Sequence, residues 1–178
     1  MEHNLLKAVK KIFLSRSGRV SISQNAKDNV EPYQKMFCVL PSDYKTVSVM
    51  LNEAIVDRSD KKLDQVLSLI EHLNVEKQYQ VDLAKLLTLP WHHFHDRVAG
   101  LLNNDPDDEI LQYLYEGALF RCDNLDYESD YCEFNRKCLF ALLKNGSMAS
   151  REYIRRVTKC ENKIIADYAA MIIEKYSI

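Results

Sequence analysis

From Asp60 to the C-terminus, apolar residues return at helical spacing in segment after segment, with a breaker between each segment and the next. Leu63, Val66, Leu67, Ile70 and Leu73 form one stripe, and Tyr79, Leu83, Leu86 and Leu87 form a second that stops at Pro90. A helix over His92 to Leu102 carries Phe94, Val98, Leu101 and Leu102, and Ile110, Leu111, Leu114, Tyr115, Ala118 and Leu119 make the next face. Spacings of three and four put each set on one side of a helix, which must then find apolar cover. The helix expected from about Tyr131 to Lys144 is apolar nearly all round over Cys138 to Leu143. It therefore needs neighbours on both sides. Asn145 and Gly146 supply a left-handed stop, after which Ala149, Tyr153, Ile154 and Val157 point inward and Arg151, Arg155 and Arg156 outward. Ile164, Ile165, Tyr168, Ala169, Ile172, Ile173 and Tyr176 form the most regular stripe in the chain. Helices of about 12 residues on short turns predict an all-α stack of antiparallel helix pairs, an α-solenoid.

The first 59 residues are less regular. Leu5, Leu6, Val9, Ile12 and Phe13 mark an amphipathic helix ending before Ser17 and Gly18. Val20 and Ile22 alternate as in a short extended stretch, and Met36 to Leu40 is an apolar run too short to type by period, so residues 18–40 stay mixed. Ser42 or Asp43 then caps a helix carrying Tyr44, Val47, Met50, Leu51, Ala54 and Ile55. With 178 residues the chain is expected to form a single domain, 1–178, in which 1–59 leads into the regular pairs of 60–178.

Composition agrees with helices. Four Gly and four Pro are too few for the turns of an all-β fold, and 47% hydrophobic with 28% charged residues is ordinary for a globular protein. The longest apolar run, Cys138 to Leu143, falls far short of the roughly 20 residues a membrane span requires, and the N-terminus lacks the continuous apolar core of a secretory signal. Five cysteines, an odd number without CxxC spacing, predict reduced thiols in a cytoplasm rather than a disulfide framework or zinc ribbon.

Charge is distributed unevenly. Residues 103–135 hold ten carboxylates against Arg121 alone, a net of −9, whereas 136–178 carry +5 and 1–102 carry +2. Such a block repels nucleic-acid phosphates and attracts a basic protein. Within it, Arg121 to Asp130 reads as an acidic loop, and Asp123, Asp126, Glu128 and Asp130 interleaved with Tyr127 and Tyr131 form the leading candidate surface for a partner. A solvated linker is the plain alternative. Calcium is disfavoured because the loop has neither a central Gly nor a Glu at its twelfth position.

The other chemically loaded segment is Trp91, His92, His93, Phe94, His95 and Asp96. On a helix His92, His95 and Asp96 share a face with metal-ligand spacing, but the Glu of HExxH and any further His/Cys cluster are missing. The structural reading, Trp91 packed at a junction and imidazoles bonded to nearby backbone, carries more weight. Trp91 and His92 are kept as candidate partner contacts. Lys7, Lys10, Lys11, Arg16 and Arg19, like Arg151, Arg155 and Arg156, read as solvated helix faces rather than a nucleic-acid surface. No nucleophile elbow, P-loop or dinucleotide fingerprint occurs, so no catalytic residue, metal or cofactor is assigned.

The stretch KCLFALLKNGSMASREYIRRVTKCENKIIADYAAMII resembles a HEAT repeat: an apolar helix, an Asn-Gly turn, a second helix, a spacer, and a helix with an inward Ala-Ala. The upstream LLTLPWHHFHDRVAGLLNNDPDDEILQYLYEGAL resembles the matching segment of small HEAT-like bacterial proteins, some of them immunity proteins of polymorphic or contact-dependent toxin systems. The resemblance covers about residues 60 to 178. It implies a binding protein rather than an enzyme, with a cognate and basic protein toxin as partner. A HEAT-type scaffold or adaptor for a cellular protein is the alternative it leaves open.

Overall fold

The computed structural model of the chain describes residues 44–121 and 128–178, with side chains over 44–121 and 133–178. Eight α-helices run through them: α1 (Tyr44–Val56), α2 (Asp60–Leu73), α3 (Gln80–Ala84), α4 (His95–Leu102), α5 (Leu111–Leu119), α6 (Glu128–Asn145), α7 (Met148–Val157) and α8 (Lys163–Tyr176). Among the described residues there is no strand, as the all-α reading expects. The extended segment expected near 18–40 and the cap expected at Ser42 or Asp43 lie outside the described residues.

Local chemistry sets most boundaries. The helix expected to be capped by Asp60 is capped one residue earlier, where Ser59 Oγ accepts from the Lys62 N–H, leaving Asp60 in the first turn where its charge suits the helix dipole. Asn74 closes α2 in the left-handed conformation at φ 52°. Gly146, at φ 67°, lets the chain turn from α6 into α7, its N–H reaching Leu142 O. Ser147 and Asn162 cap α7 and α8 through their side-chain oxygens.

Four segments depart from the periodic reading. The stripe from Tyr79 to Leu87 is not one α-helix: 3-10 turns at Glu76–Tyr79 and Lys85–Thr88 flank the short α3. Its inward residues are nevertheless buried, because a 3-10 turn also brings i and i+3 to one side. The helix expected to start at His92 starts at His95, and α6 starts at Glu128 rather than Tyr131, taking in residues 128–130 that were expected in the acidic loop. In α7 the buried small residue is Ser150, not Ala149, which is exposed; Ser150 Oγ bonds to Ser147 O and thereby tolerates burial.

Consecutive helices pack as α1 on α2, α3 on α4, α5 on α6, α6 on α7 and α7 on α8, and next-but-one contacts join α4 to α6, α5 to α7 and α6 to α8. α6, apolar nearly all round over Cys138 to Leu143, thus packs against α4, α5, α7 and α8, burying Phe134, Cys138, Leu139, Ala141 and Leu142. One continuous apolar cluster runs from Val47 on α1 to Ile172 on α8. At the α5–α6 crossing a Cβ on Gly117 would lie 3.0 Å from Cys138 Sγ and 3.3 Å from Leu87 Cβ, so glycine sets that approach. No helix among the described residues is long and apolar enough to cross a membrane.

Candidate functional site

The segment from Trp91 to Asp96 turns the chain from the second 3-10 turn into α4. Carbonyls at the end of that turn have no i+4 amide to bind, and two imidazoles take that place. His92 Nε2 donates to Leu86 O at 2.9 Å while its Nδ1 accepts from the Phe94 N–H at 3.1 Å. His95 Nε2 donates to Leu89 O at 2.9 Å. The two rings stack with centroids 4.1 Å apart, and Phe120 and Phe134 close over His95 at 5.5 and 5.4 Å.

Both imidazoles are fully buried. Burial therefore pushes both pKa values down, His95 to about 4, with the neighbouring His92 adding to the effect. The pair is neutral at pH 7. Asp96, expected on the same face, bonds instead to Lys137 of α6 at 2.7 Å, so the three residues do not converge on a metal position. His92, proposed from sequence as a partner contact, is a core residue with both nitrogens engaged. Trp91 is half-buried, its ring meeting His92 edge-on at 5.1 Å.

Beyond α4 the acidic segment is held from two sides. Gln80, itself buried, donates to Asp105 O at 2.9 Å and accepts from the Asp107 N–H at 3.0 Å. Lys77 Nζ donates to Asp105 O and Asp107 Oδ1 at 2.6 and 2.7 Å and pairs with Asp105 Oδ2 at 2.9 Å, and its hydrogen bonds to Asp107 and then to Asp105 raise its pKa. From the C-terminal end of α6, Asn145 Nδ2 donates to Pro106 O and Asp108 Oδ1, each at 2.9 Å, and Lys144 reaches Asn103 O. Both walls thus grip the backbone of the loop. It presents Asp105, Asp107, Asp108 and Glu109 to solvent, with Glu116 exposed one helix further on.

Next to this edge, Tyr115 and Tyr153 pack with ring centroids 5.0 Å apart, Tyr153 Oη donates to Gln112 at 2.8 Å, and Arg156 lies over the Tyr153 ring at 5.5 Å. Asp123, Asp126 and Tyr127 lie outside the described residues. Glu128, Asp130 and Tyr131 fall in the first turn of α6, where acids complement the helix dipole, and their side chains lie outside the described set.

Two anchors escaped sequence reasoning. Asn135, fully buried in α6, donates to the Gly117, Ala118 and Phe120 carbonyls at 3.0, 3.0 and 3.1 Å, holding the end of α5 where the chain departs toward Cys122. Arg97 of α4 binds Glu71 through two nitrogens at 2.8 and 2.6 Å, Asp64 at 2.7 Å and Ser68 at 2.9 Å. Asp64, Ser68 and Glu71 do form a polar row on α2, but nothing local to that row points to Arg97. No known protein family, curated protein or solved structure matches the chain.

Proposed function

We propose that the protein acts by binding another protein rather than by catalysis, as a stoichiometric inhibitor of a basic partner of the kind immunity proteins provide against nuclease-type bacterial toxins. The reading places it in the producer's cytoplasm. One observation carries it: five exposed carboxylates, Asp105, Asp107, Asp108, Glu109 and Glu116, lie on or beside a loop whose backbone is pinned by Gln80, Lys77 and Asn145. A nuclease gathers cations around the scissile phosphate, and a preorganised row of carboxylates can occupy that position as a phosphate mimic at little entropic cost. Asp123, Asp126, Tyr127, Glu128, Asp130 and Tyr131, which follow the edge in sequence, extend it in this proposal, and Trp91 stands as a further contact.

Mixing the protein with the toxin encoded beside it tests the reading. Replacing Asp108, Glu109 and Glu116 by their amides is expected to slow association about tenfold or more at low salt and to flatten its salt dependence. The absence of a complex, or binding indifferent to those amides and to salt, would remove it.

A second reading, a HEAT-type adaptor for a cellular protein, is favoured by the next-but-one contacts of α4 to α8, the pairing a solenoid would produce. The two part company on outcome: an inhibitor abolishes its partner's activity at one equivalent, whereas an adaptor leaves it intact.

A further inference from the structure

At the joint between the second 3-10 turn and α4, two ionisable rings are stacked on each other and closed off from solvent: His92 and His95, centroids 4.1 Å apart. Nε2 of each is committed to a carbonyl, Leu86 O or Leu89 O, so a further proton can enter only at Nδ1. Neither Nδ1 can hold it in place. That of His92 accepts from the Phe94 N–H, which a proton would oppose with a second N–H. That of His95 is buried without a hydrogen-bond partner among the described residues, so a proton there would be a buried donor with no acceptor.

Among the described residues no carboxylate bonds to either ring. On the same segment His93 is a third imidazole, exposed and 3.8 Å from Asp60 of α2, and Asp96 is held by Lys137 of α6. α6 adds Phe134 and the thiol of Cys138, which burial keeps neutral, while Glu133 pairs with Lys137. On α2, Asp64 and Glu71 are taken by Arg97. On the turns before the joint Asp82 is taken by Lys85, and Glu76 precedes Lys77, which Asp105 and Asp107 hold. The end of α5 presents Phe120 and carbonyls that Asn135 already binds.

The polar anchors of α4 begin immediately after His95, with Asp96 on Lys137 and Arg97 on Glu71 and Asp64. The stretch just before them carries both rings. We infer that His92 and His95 form an acid-sensitive latch, which takes up two protons by leaving the stack and opens Pro90 to His95 while the rest of α4 stays docked. Outside the stack each imidazole titrates near 6.5; within it burial holds both lower, His95 at about 4. The latch is therefore fully closed above pH 6.5 and is lost as pH falls toward 4. Two rings on one short segment, each stacked on the other, open together, so the equilibrium carries two protons rather than one. Trp91 and Phe94, half-buried in the closed form, are released with them.

Amide exchange of the full chain, followed by NMR, tests this, since the Phe94 N–H is itself bonded to His92. Its protection, corrected for intrinsic exchange, is expected to fall about a hundredfold per pH unit below about pH 6, while Leu139 and Leu142 in α6 stay more protected at every pH. Trp91 is the one tryptophan of the chain, so its emission should shift to the red over the same range before the helical circular dichroism changes. His95→Gln should reduce the dependence to about tenfold per pH unit, and His93→Gln, at an exposed ring outside the stack, should leave it unchanged. A wild-type dependence of about tenfold or less means that the rings titrate separately, and overturns the latch. So does a loss of protection at Phe94 that coincides with Leu139 and Leu142, because the whole fold then opens at once.

Discussion

Gly117 is the residue at which packing leaves the least room. An added methyl meets Cys138 Sγ at 3.0 Å and the Leu87 side chain at 3.3 Å, in a core that cannot expand cheaply. Gly117→Ala is expected to lower stability by about 1–3 kcal/mol, and Cys138→Ala in the same chain to recover part of that loss, since it removes the atom in the way. Equilibrium urea unfolding of the three variants measures the coupling; strict additivity would contradict the close approach. The buried His95 makes a different statement. Its folded pKa, about 4, lies below the ordinary 6.5, so the unfolded chain takes up the proton first. The stability it contributes is present in full above pH 6.5 and falls as pH drops toward 4, by about 3 kcal/mol in all, with the lowered pKa of His92 acting in the same direction. Urea midpoints that stay level from pH 7 to pH 4.5 would refute this, and His95→Gln should flatten the decline.

At the scale of elements, the joints between helices depend on side chains that bond backbone carbonyls where helices end. His92 and His95 serve the Leu86 and Leu89 carbonyls, and Asn135 serves three carbonyls at the end of α5. Asn135→Ala removes the donor to these carbonyls, of which Gly117 O keeps the Phe120 N–H, and the expected loss is about 1–3 kcal/mol together with faster amide exchange at the end of α5. A loss below about 0.5 kcal/mol would mean the carbonyls find other donors. The same elements show how far sequence reading reaches. Helix periods were legible from Leu63 onward, and the stops at Asn74 and Gly146 were legible because a cap depends on a few consecutive residues. The start of α4 was not. Trp91 to Phe94 continue a helical-looking pattern, yet His92 is drawn out of the helix by a carbonyl six residues back.

For the whole molecule, the charge block and the surface it makes have to be separated. Of the carboxylates in residues 103–116, Asp105 and Asp107 are paired with Lys77, and Asp108 is bonded to Asn145, so part of the formal charge fixes the loop in place. The proposed docking and its salt dependence rest on what remains exposed along a pinned edge.

By itself the sequence determined the all-helical character, the positions of most helices and the asymmetry of charge, because period, capping and net charge are properties of neighbouring residues. Only the tertiary structure decided which polar residues hold the fold and which face outward. Arg97 finds Glu71 and Asp64 from 26 and 33 residues away, Asn145 finds Pro106 from 39, and His92 and His95, whose imidazoles the sequence already favoured as backbone partners, find the Leu86 and Leu89 carbonyls in particular. Such pairings depend on where helix packing brings distant backbone groups, and an unpartnered buried polar group is costly enough to settle them.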